Sequence, residues 1–198
     1  MWRPLEETRR FFAARAEGWD AKFADDGPRY ARAVAELAPR PGATVLDAGC
    51  GTGRAVPHLR AAVGSAGRVV ALDVTPEMLD AGRRAGQLAG ADVLIADALR
   101  MPIRDAGAGA VWAAGLLPHL DDPSAGLREL ARVCAPGGRL AVFHPVGRAA
   151  LAARHGHPAR ADDPLAPSRL AALLAASGWT LERCDDGADR YLALAVRV

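Results

Sequence analysis

The residues best suited to chemistry in this chain form a short cluster in which an acid precedes three alternating glycines. Asp47 follows the apolar stretch Thr44-Val45-Leu46, and Gly49, Gly51 and Gly53 come after it. The β-branched and apolar residues predict a buried parallel strand, and the glycines let the backbone turn sharply and approach a ligand closely. A helix that begins after this turn directs its free N–H groups at that ligand. The sequence therefore predicts a small molecule at the carboxyl end of the first strand.

The spacing of the glycines and acids narrows the choice of ligand. A dinucleotide fingerprint reads G-x-G-x-x-G with an acid about 20 residues further on, whereas this chain reads G-x-G-x-G with Arg54 in the place of the third fingerprint glycine. Asp73 ends the next predicted strand, 68–73, where a carboxylate accepts both hydroxyls of a ribose. Asp47 beside the glycines suits a cationic group, such as the ammonium of an amino acid. A ligand with ribose at one end and an ammonium at the other is S-adenosyl-L-methionine.

The stretch Val45-Leu46-Asp47-Ala48-Gly49-Cys50-Gly51-Thr52-Gly53 resembles the first motif of class I S-adenosylmethionine-dependent methyltransferases. Later stretches resemble the other motifs of this family in the same order, and the resemblance covers roughly residues 40 to 198. It is closest to the small-molecule branch, which includes quinone C-methyltransferases. The resemblance implies an enzyme that transfers the sulfonium methyl group of S-adenosyl-L-methionine to a small-molecule acceptor by in-line attack. It also implies cofactor contacts from residues of the first motif: Asp47, Gly49, Cys50, Gly51 and Gly53.

The second motif appears as Asp73-Val74-Thr75-Pro76-Glu77-Met78-Leu79. Its Thr-Pro pair predicts the start of a helix, because threonine caps a helix well and proline is tolerated at the first helical position. By the resemblance, Asp73 binds the ribose, and Val74 and Met78 lie on the two flat faces of the adenine. Met78 also suits ordinary core filling, so two interpretations of this residue stay open.

Two further groups of predicted cofactor residues lie at strand ends. Asp97 lies at the exit of the third strand; by the resemblance it accepts a hydrogen bond from the exocyclic amine of adenine, and the N–H of Ala98 donates to a ring nitrogen. The alternative for Asp97 is a turn-forming role. The backbone groups of Ala114 and Gly115, at the end of the fourth strand, are expected beside the methionine part of the cofactor.

Candidate residues on the acceptor side are fewer and less specific. His119 follows the fourth strand and His144 ends the fifth, so each is a candidate general base at the edge where ligands bind. An imidazole bonded to the backbone in a structural role is the alternative for His119. By the resemblance, residues 1–40 form an N-terminal helical lid, and Trp19 within it is a candidate cofactor contact. Packing of this indole against the sheet is the alternative.

The elements that must position these residues alternate along the chain as helices and strands. Apolar periodicity predicts two helices before the first strand, at residues 5–17 and about 28–37, with Gly18-Trp19-Asp20 breaking the first. Residues 135–138 are expected to form a tight turn before the fifth strand. The last two strands, 179–184 and 191–198, are separated by a polar turn that pairs them as an antiparallel hairpin. The resemblance implies an α/β, Rossmann-like, doubly wound sheet of seven strands, mostly parallel, in the order 3-2-1-4-5-7-6. Residues 1–198 are then a single methyltransferase domain.

Length and composition disfavour several classes of protein. A chain of 198 residues with a hydrophobic fraction of 51% and a charged fraction of 24% is typical of one soluble globular domain. The net charge is only +2 and no basic cluster stands out, so no nucleic-acid partner is expected. No D/N-P-P-Y/F motif follows the fourth strand, which removes the usual signature of enzymes that methylate the amino groups of nucleic acids. No apolar run is long enough for a bilayer, and no signal peptide is recognised at the start.

Cysteine and histidine usage bears on redox compartment and metals. The three cysteines are odd in number and widely spaced, which favours reduced thiols and a cytoplasmic location. His155 and His157 are separated by a glycine and followed by Asp162 and Asp163, but this spacing presents no helical face to a metal. No metal site is therefore expected.

Two other functional classes stay open at this point. An NAD-binding oxidoreductase would use a similar turn, although the alternating glycines and Asp47 disfavour it. A non-catalytic module that uses the cofactor fold as a sensor or partner is compatible with every motif, because intact cofactor motifs indicate binding and not turnover.

Overall fold

One seven-stranded sheet forms the centre of the molecule. The structure is a computed structural model that describes residues 5–198. The strands are β1 (Thr44–Ala48), β2 (Arg68–Asp73), β3 (Asp92–Ile95), β4 (Ala108–Ala114), β5 (Cys134–His144), β6 (Trp179–Asp186) and β7 (Tyr191–Arg197). Their order is β3-β2-β1-β4-β5-β7-β6, with the first five parallel and β7 antiparallel to both β5 and β6. The predicted α/β, Rossmann-like fold and its strand order are confirmed.

Helices flank the sheet. Within residues 5–198 they are α1 (Leu5–Ala13), α2 (Trp19–Lys22), α3 (Gly27–Leu37), α4 (Val56–Val63), α5 (Pro76–Arg84), α6 (Pro123–Val133), α7 (Arg148–Arg154) and α8 (Pro167–Ala175), with 3₁₀ turns at Ala24–Asp26 and Leu117–His119. Proline lies in the first turn of α4, α5 and α6, where its missing N–H has no helical partner to lose. Asp122 caps α6 by accepting a hydrogen bond from the N–H of Ala125 at 2.9 Å.

Separate apolar cores cover the two faces of the sheet. α3 and α4 pack on one face, and α6 and α8 pack on the other. The central strands are therefore buried on both sides, and Val45, Leu46 and Ala48 of β1 have no exposed surface. Each such buried aliphatic side chain contributes roughly 1.5–3 kcal/mol relative to an exposed one. Asp47 is the one charged residue of β1, so its burial calls for a specific explanation.

The structure differs from the sequence-based expectation in two segments. The predicted helix 5–17 ends at Ala13, and a second helix begins at Trp19, where a break was expected. Gly18 separates the two helices with φ 77°, a left-handed conformation that glycine adopts readily. β5 begins at Cys134, so the residues 135–138 expected to form a tight turn belong to an irregular strand whose register with β4 shifts between Ala108 and Ala110.

α1 and α2 lie over the carboxyl edge of the sheet, whereas α3 packs on one of its faces. α1 contacts α5, the helix that follows β2. Residues 1–4 lie outside the described residues. They belong to the predicted lid and to the N-terminus in which no signal peptide was recognised. In the part of the chain that is described, no helix is long and apolar enough to cross a membrane.

Candidate functional site

The turn between β1 and α4 adopts the conformation that its glycines allow. Gly49, Gly51 and Gly53 have φ of 68°, 56° and 83°, all in the left-handed region. A Cβ on Gly53 would lie 2.4 Å from Cδ2 of Leu88, so close packing also requires glycine there. These residues, 49–53, are called the glycine loop below.

Asp73 links the end of β2 to the glycine loop. Its Oδ2 accepts a hydrogen bond from the N–H of Gly51, and its Oδ1 accepts one from the N–H of Thr75, both at 2.8 Å. Burial raises the pKa of this carboxyl, and the backbone hydrogen bonds from Thr75 and Gly51 oppose that rise. Asp73 thus has donors that stabilise its charged form.

Asp47 lies in the same region in a different environment. It is 1% exposed, and no donor among residues 5–198 lies within hydrogen-bond distance of its Oδ2. Burial, reinforced by the nearby charge of Asp73, raises the pKa of Asp47 to about 8. A buried acid without a donor needs either its own proton or a cationic ligand.

Trp112 of β4 is a residue of this region that the sequence reasoning missed as part of the site. It pairs with Asp47 in the parallel register of β1 and β4 and has no exposed surface. Its indole nitrogen has no hydrogen-bond acceptor in the part of the chain described. The strand order 3-2-1-4 carried the signal, because it makes β4 the neighbour of the strand that bears Asp47.

The predicted adenine residues lie around the ends of β2 and β3. Met78 is 2% exposed, and its Cε would lie 3.2 Å from a Cβ placed on Gly51, so the side chain reaches the glycine loop. Val74 is half-buried and Ala98 is buried. Asp97 accepts a hydrogen bond from the N–H of Leu99 at 2.9 Å, which is the turn-forming contact considered as an alternative.

The remaining predicted backbone contacts lie beside the glycine loop. Ala114 ends β4, and the N–H of Gly115 donates to the carbonyl oxygen of Phe143 at 2.8 Å with φ of 63°. The N–H of Cys50 donates to the carbonyl oxygen of Leu72 at 2.9 Å. Burial raises the pKa of the Cys50 thiol, so this side chain remains a neutral thiol at physiological pH.

An aromatic cluster joins the N-terminal helices to the turn after β4. The ring of Phe12 contacts the imidazole of His119 edge-on, with centroids 4.9 Å apart, and the indole of Trp19 at 5.6 Å. Trp19 in turn contacts Phe23 at 4.9 Å. We call Phe12, Trp19 and Phe23 the aromatic lid, because they lie across the carboxyl edge of the sheet between α5 and His119.

Polar contacts tie the same segment to the glycine loop and its helix. The hydroxyl of Thr52 donates to Oδ1 of Asp20 at 2.5 Å. Arg54 donates to the carbonyl oxygen of Phe23 at 2.6 Å and to Oδ2 of Asp26 at 3.3 Å, and its guanidinium lies 4.7 Å from the ring centroid of Tyr30. Sequence reasoning missed these ties, because they join residues about 30 positions apart.

The two candidate bases have different surroundings. His144 is held through its Nδ1, which lies 2.8 Å from the carbonyl oxygen and 3.1 Å from the N–H nitrogen of Val146. Burial lowers the pKa of His144, so the ring is neutral at physiological pH. His119 lies under the aromatic lid, against Phe12. His155 and His157 stack on an exposed loop, and residues 5–198 contain no group of three or more metal-ligating side chains.

The structure therefore brings the loops after β1, β2 and β4 to one edge of the sheet, with an aromatic cover on top. Two acids with unequal partners flank a backbone loop shaped for close approach. This arrangement suits a ligand that offers hydroxyl groups to Asp73 and a cation to Asp47.

Comparison with known proteins agrees with this description. The family described as "Methyltransferase domain" matches residues 46–142. A demethylmenaquinone methyltransferase from Clavibacter sepedonicus is 39% identical over 109 residues, which are 54% of this chain and 42% of that protein. A probable tRNA methyltransferase 9B from Mus musculus is 33% identical over 107 residues, which are 52% of this chain and 22% of that protein. The matched region thus spans less than half the length of either relative.

Solved structures share the whole fold. A SAM-dependent methyltransferase from Aquifex aeolicus superposes with a TM-score of 0.74 at 22% identity, covering 94% of this chain and 98% of that chain. At this identity the likeness concerns the fold, which includes the strand order and the antiparallel hairpin.

Proposed function

The chain carries a class I S-adenosylmethionine-dependent methyltransferase domain, and from this membership we propose that it methylates a small-molecule acceptor. The observation that carries the proposal is Asp47, a fully buried acid whose Oδ2 has no donor among the described residues, beside a glycine loop shaped for close approach. A ligand that brings an ammonium group satisfies this oxygen, whereas the nicotinamide dinucleotides bring no such group.

The residues of the glycine loop and its neighbours hold the cofactor. Asp73 accepts the ribose hydroxyls while its backbone donors stabilise its charged form, and Asp47 accepts the ammonium group. Val74 and Met78 enclose the adenine, with Asp97 and Ala98 at its polar edge. The rest of the cofactor is lined by residues of the glycine loop and of the strand and lid beside it: Gly49, Cys50, Gly51, Gly53, Ala114, Gly115 and Trp19.

When bound, S-adenosylmethionine supplies a methyl group activated by the positive charge on its sulfur. The chain's own contribution is alignment and exclusion of water. The chain is then a single domain in which α1 and α2, from the predicted lid of residues 1–40, carry the aromatic lid over the edge where an acceptor approaches. Such a cover favours a small apolar acceptor over a large polymer, and the likeness to a demethylmenaquinone methyltransferase supports the same class.

A histidine removes the proton when the acceptor has one to lose. The shorter contact of the His144 Nδ1, to the carbonyl oxygen of Val146, favours a hydrogen on Nδ1 and leaves Nε2 able to accept a proton. His119 is the other candidate, at the turn after β4. Replacement of the true base by asparagine abolishes the acidic limb of the pH–rate profile; replacement of the other histidine leaves that limb in place.

The setting we propose is the cytoplasm, which the free thiols of all three cysteines support. No metal and no nucleic-acid partner are part of the proposal.

Calorimetric titration with S-adenosylhomocysteine tests the cofactor, with NAD as control and Asp73→Ala as the weakened variant. We expect binding of S-adenosylhomocysteine alone, strongly reduced in the variant.

An acceptor screen by mass spectrometry then compares quinones and phenols with tRNA. Methylation of tRNA alone would replace the small-molecule proposal, and tight binding with no methylated product would favour a non-catalytic module.

A further inference from the structure

Two carboxylates at the same edge of the sheet have opposite hydrogen-bonding environments. Asp73 accepts hydrogen bonds from two backbone N–H groups at 2.8 Å. Asp47 is more deeply buried, and its Oδ2 has no donor in the part of the chain that the structure describes. When two nearby acids differ in this way, the one with donors takes the negative charge and the other keeps its proton.

Among residues 5–198, the groups that face Asp47 do not offer it a positive charge. Asp73 of β2 repels a second negative charge. Tyr30 of α3 is buried, which raises its pKa to about 12, and burial likewise raises the pKa of the Cys50 thiol, so both side chains stay neutral. Arg54 acts on Tyr30 but donates to Asp26 and to the carbonyl oxygen of Phe23.

We infer that Asp47 is protonated in the cofactor-free protein and releases this proton when the ammonium group of the cofactor arrives, so that cofactor binding is proton-coupled. The inference rests on the proposed function. The carboxylic acid of Asp47 loses a proton to solvent, and the carboxylate formed accepts a hydrogen bond from an N–H of the ammonium group. The ligand keeps its own protons, and no electrons are transferred.

This coupling gives cofactor binding a pH dependence of defined sign. Below the pKa of about 8 for Asp47 in the free protein, each unit of rising pH makes the carboxylate about ten times easier to form. The affinity for a ligand with an ammonium group therefore rises with pH and levels off near pH 8, until the ligand's own amine begins to lose its charge. A neutral amide at position 47 removes the rise.

The test is calorimetric titration of the full chain with S-adenosylhomocysteine in buffers that differ in ionisation enthalpy, which counts the protons released on binding. At pH 7 we expect wild type to release about one more proton than Asp47→Asn, and the wild-type affinity to rise nearly ten-fold between pH 6 and 7. Both proteins bind the same ligand with the same amine, so the difference between their proton counts comes from Asp47. Asp97→Asn is the matched control at another predicted cofactor acid, and we expect it to bind more weakly with the wild-type proton count.

The possible failures are distinguishable. Binding by wild type without the additional proton overturns the inference and leaves the proposed function intact. No binding of S-adenosylhomocysteine to wild type overturns the proposed function and this inference with it. If Asp47→Asn binds too weakly to titrate, wild type alone decides, because release from Asp47 falls toward zero as the pH passes 8, and a constant count contradicts it.

Discussion

The glycine loop and the aromatic lid meet at the same edge of the sheet but are held in place by different interactions. The loop is held through its own backbone N–H groups: that of Cys50 donates to the carbonyl oxygen of Leu72, and that of Gly51 donates to the carboxylate of Asp73. Side chains fix the lid, through ring contacts of Phe12 and through the hydrogen bond between Thr52 and Asp20.

The difference indicates which half of the site tolerates change. Hydrogen bonds from these N–H groups, with the positive φ of three glycines, set the conformation of the loop that faces the cofactor. The ring contacts of the lid and its polar ties to Thr52 and Arg54 depend on side chains that can be exchanged without disturbing the sheet. We therefore expect substitutions around the loop to abolish binding, and substitutions in the lid to change rates and acceptor choice.

The largest effect is expected from Gly82→Ala in α5. A Cβ at this position would lie 2.3 Å from the carbonyl oxygen of Thr52, so α5 must move away from the glycine loop. We expect a loss of about 2–3 kcal/mol in the free energy of unfolding and no measurable binding of S-adenosylhomocysteine. Urea unfolding and calorimetry measure the two. Gly27→Ala is the control, because a Cβ there meets nothing within 4 Å and its φ is helical. Wild-type binding by Gly82→Ala would show that the loop is less rigid than its backbone contacts indicate.

The next effect compares two acids. Asp73→Ala removes the predicted ribose acceptor together with the two hydrogen bonds to Gly51 and Thr75, and we expect roughly 100-fold weaker binding of S-adenosylhomocysteine. Asp97→Ala removes one hydrogen bond from the N–H of Leu99 and a predicted adenine contact, and we expect roughly ten-fold weaker binding of S-adenosylhomocysteine. Equal losses in the two variants would contradict a special role for Asp73. The measurement is calorimetry at one pH and salt concentration.

The loop and its strands were predictable from the sequence, because each motif is short and its residues are close together along the chain. Glycine spacing, an apolar strand and an acid at the next strand end lie within 30 residues. The lid was predictable only as a pair of helices. Its ties, from Thr52 to Asp20 and from Arg54 to Phe23, join segments that no periodicity connects.

Trp112 and the break at Gly18 illustrate the two limits of the sequence. The apolar pattern identifies β4 as a strand, but only the register opposite β1 reveals that its indole lies beside Asp47. In the segment that carries the lid, α1 ends at Ala13, and Gly18 with φ of 77° precedes a second helix that begins at Trp19, where a break was expected. The indole of Trp19 contacts Phe12 of α1 and Phe23 at the end of its own helix, and these contacts accompany the second helix.

A third prediction concerns the unpartnered acid of the loop half. The pKa of Asp47 is raised to about 8 in the folded chain from about 4 in the unfolded chain, so the folded state binds more protons between these values. Stability from this group is therefore lost as pH rises, by about 1.4 kcal/mol per unit up to pH 8. Asp47→Asn lacks this slope. We expect the free energy of unfolding of Asp47→Asn, relative to that of wild type, to be about 2–3 kcal/mol higher at pH 8 than at pH 6. Urea unfolding at both pH values measures it, and parallel curves would contradict it.

The smallest effect is expected at the tie between the lid and the loop. Thr52→Val keeps the shape of a fully buried side chain and removes the hydroxyl that donates to Asp20. We expect S-adenosylhomocysteine to dissociate roughly 5- to 10-fold faster, because a hydrogen bond to a charged group contributes about 1.5–3 kcal/mol and less when the group is half-exposed. Stopped-flow tryptophan fluorescence measures the rate, and Thr52→Ser, which keeps the hydroxyl, is the control.

A double-mutant cycle with Asp20→Ala separates the tie from any contact that Thr52 makes with the ligand. If the lid acts through this hydrogen bond, Asp20→Ala alone has the same effect as Thr52→Val, and the double variant is no worse than either. Additive effects would mean that the two residues act independently. The lid would then be held by the ring contacts of Phe12 and Trp19 and by the hydrogen bond from Arg54 to Phe23, and the contrast with a loop held by its own backbone N–H groups would become sharper.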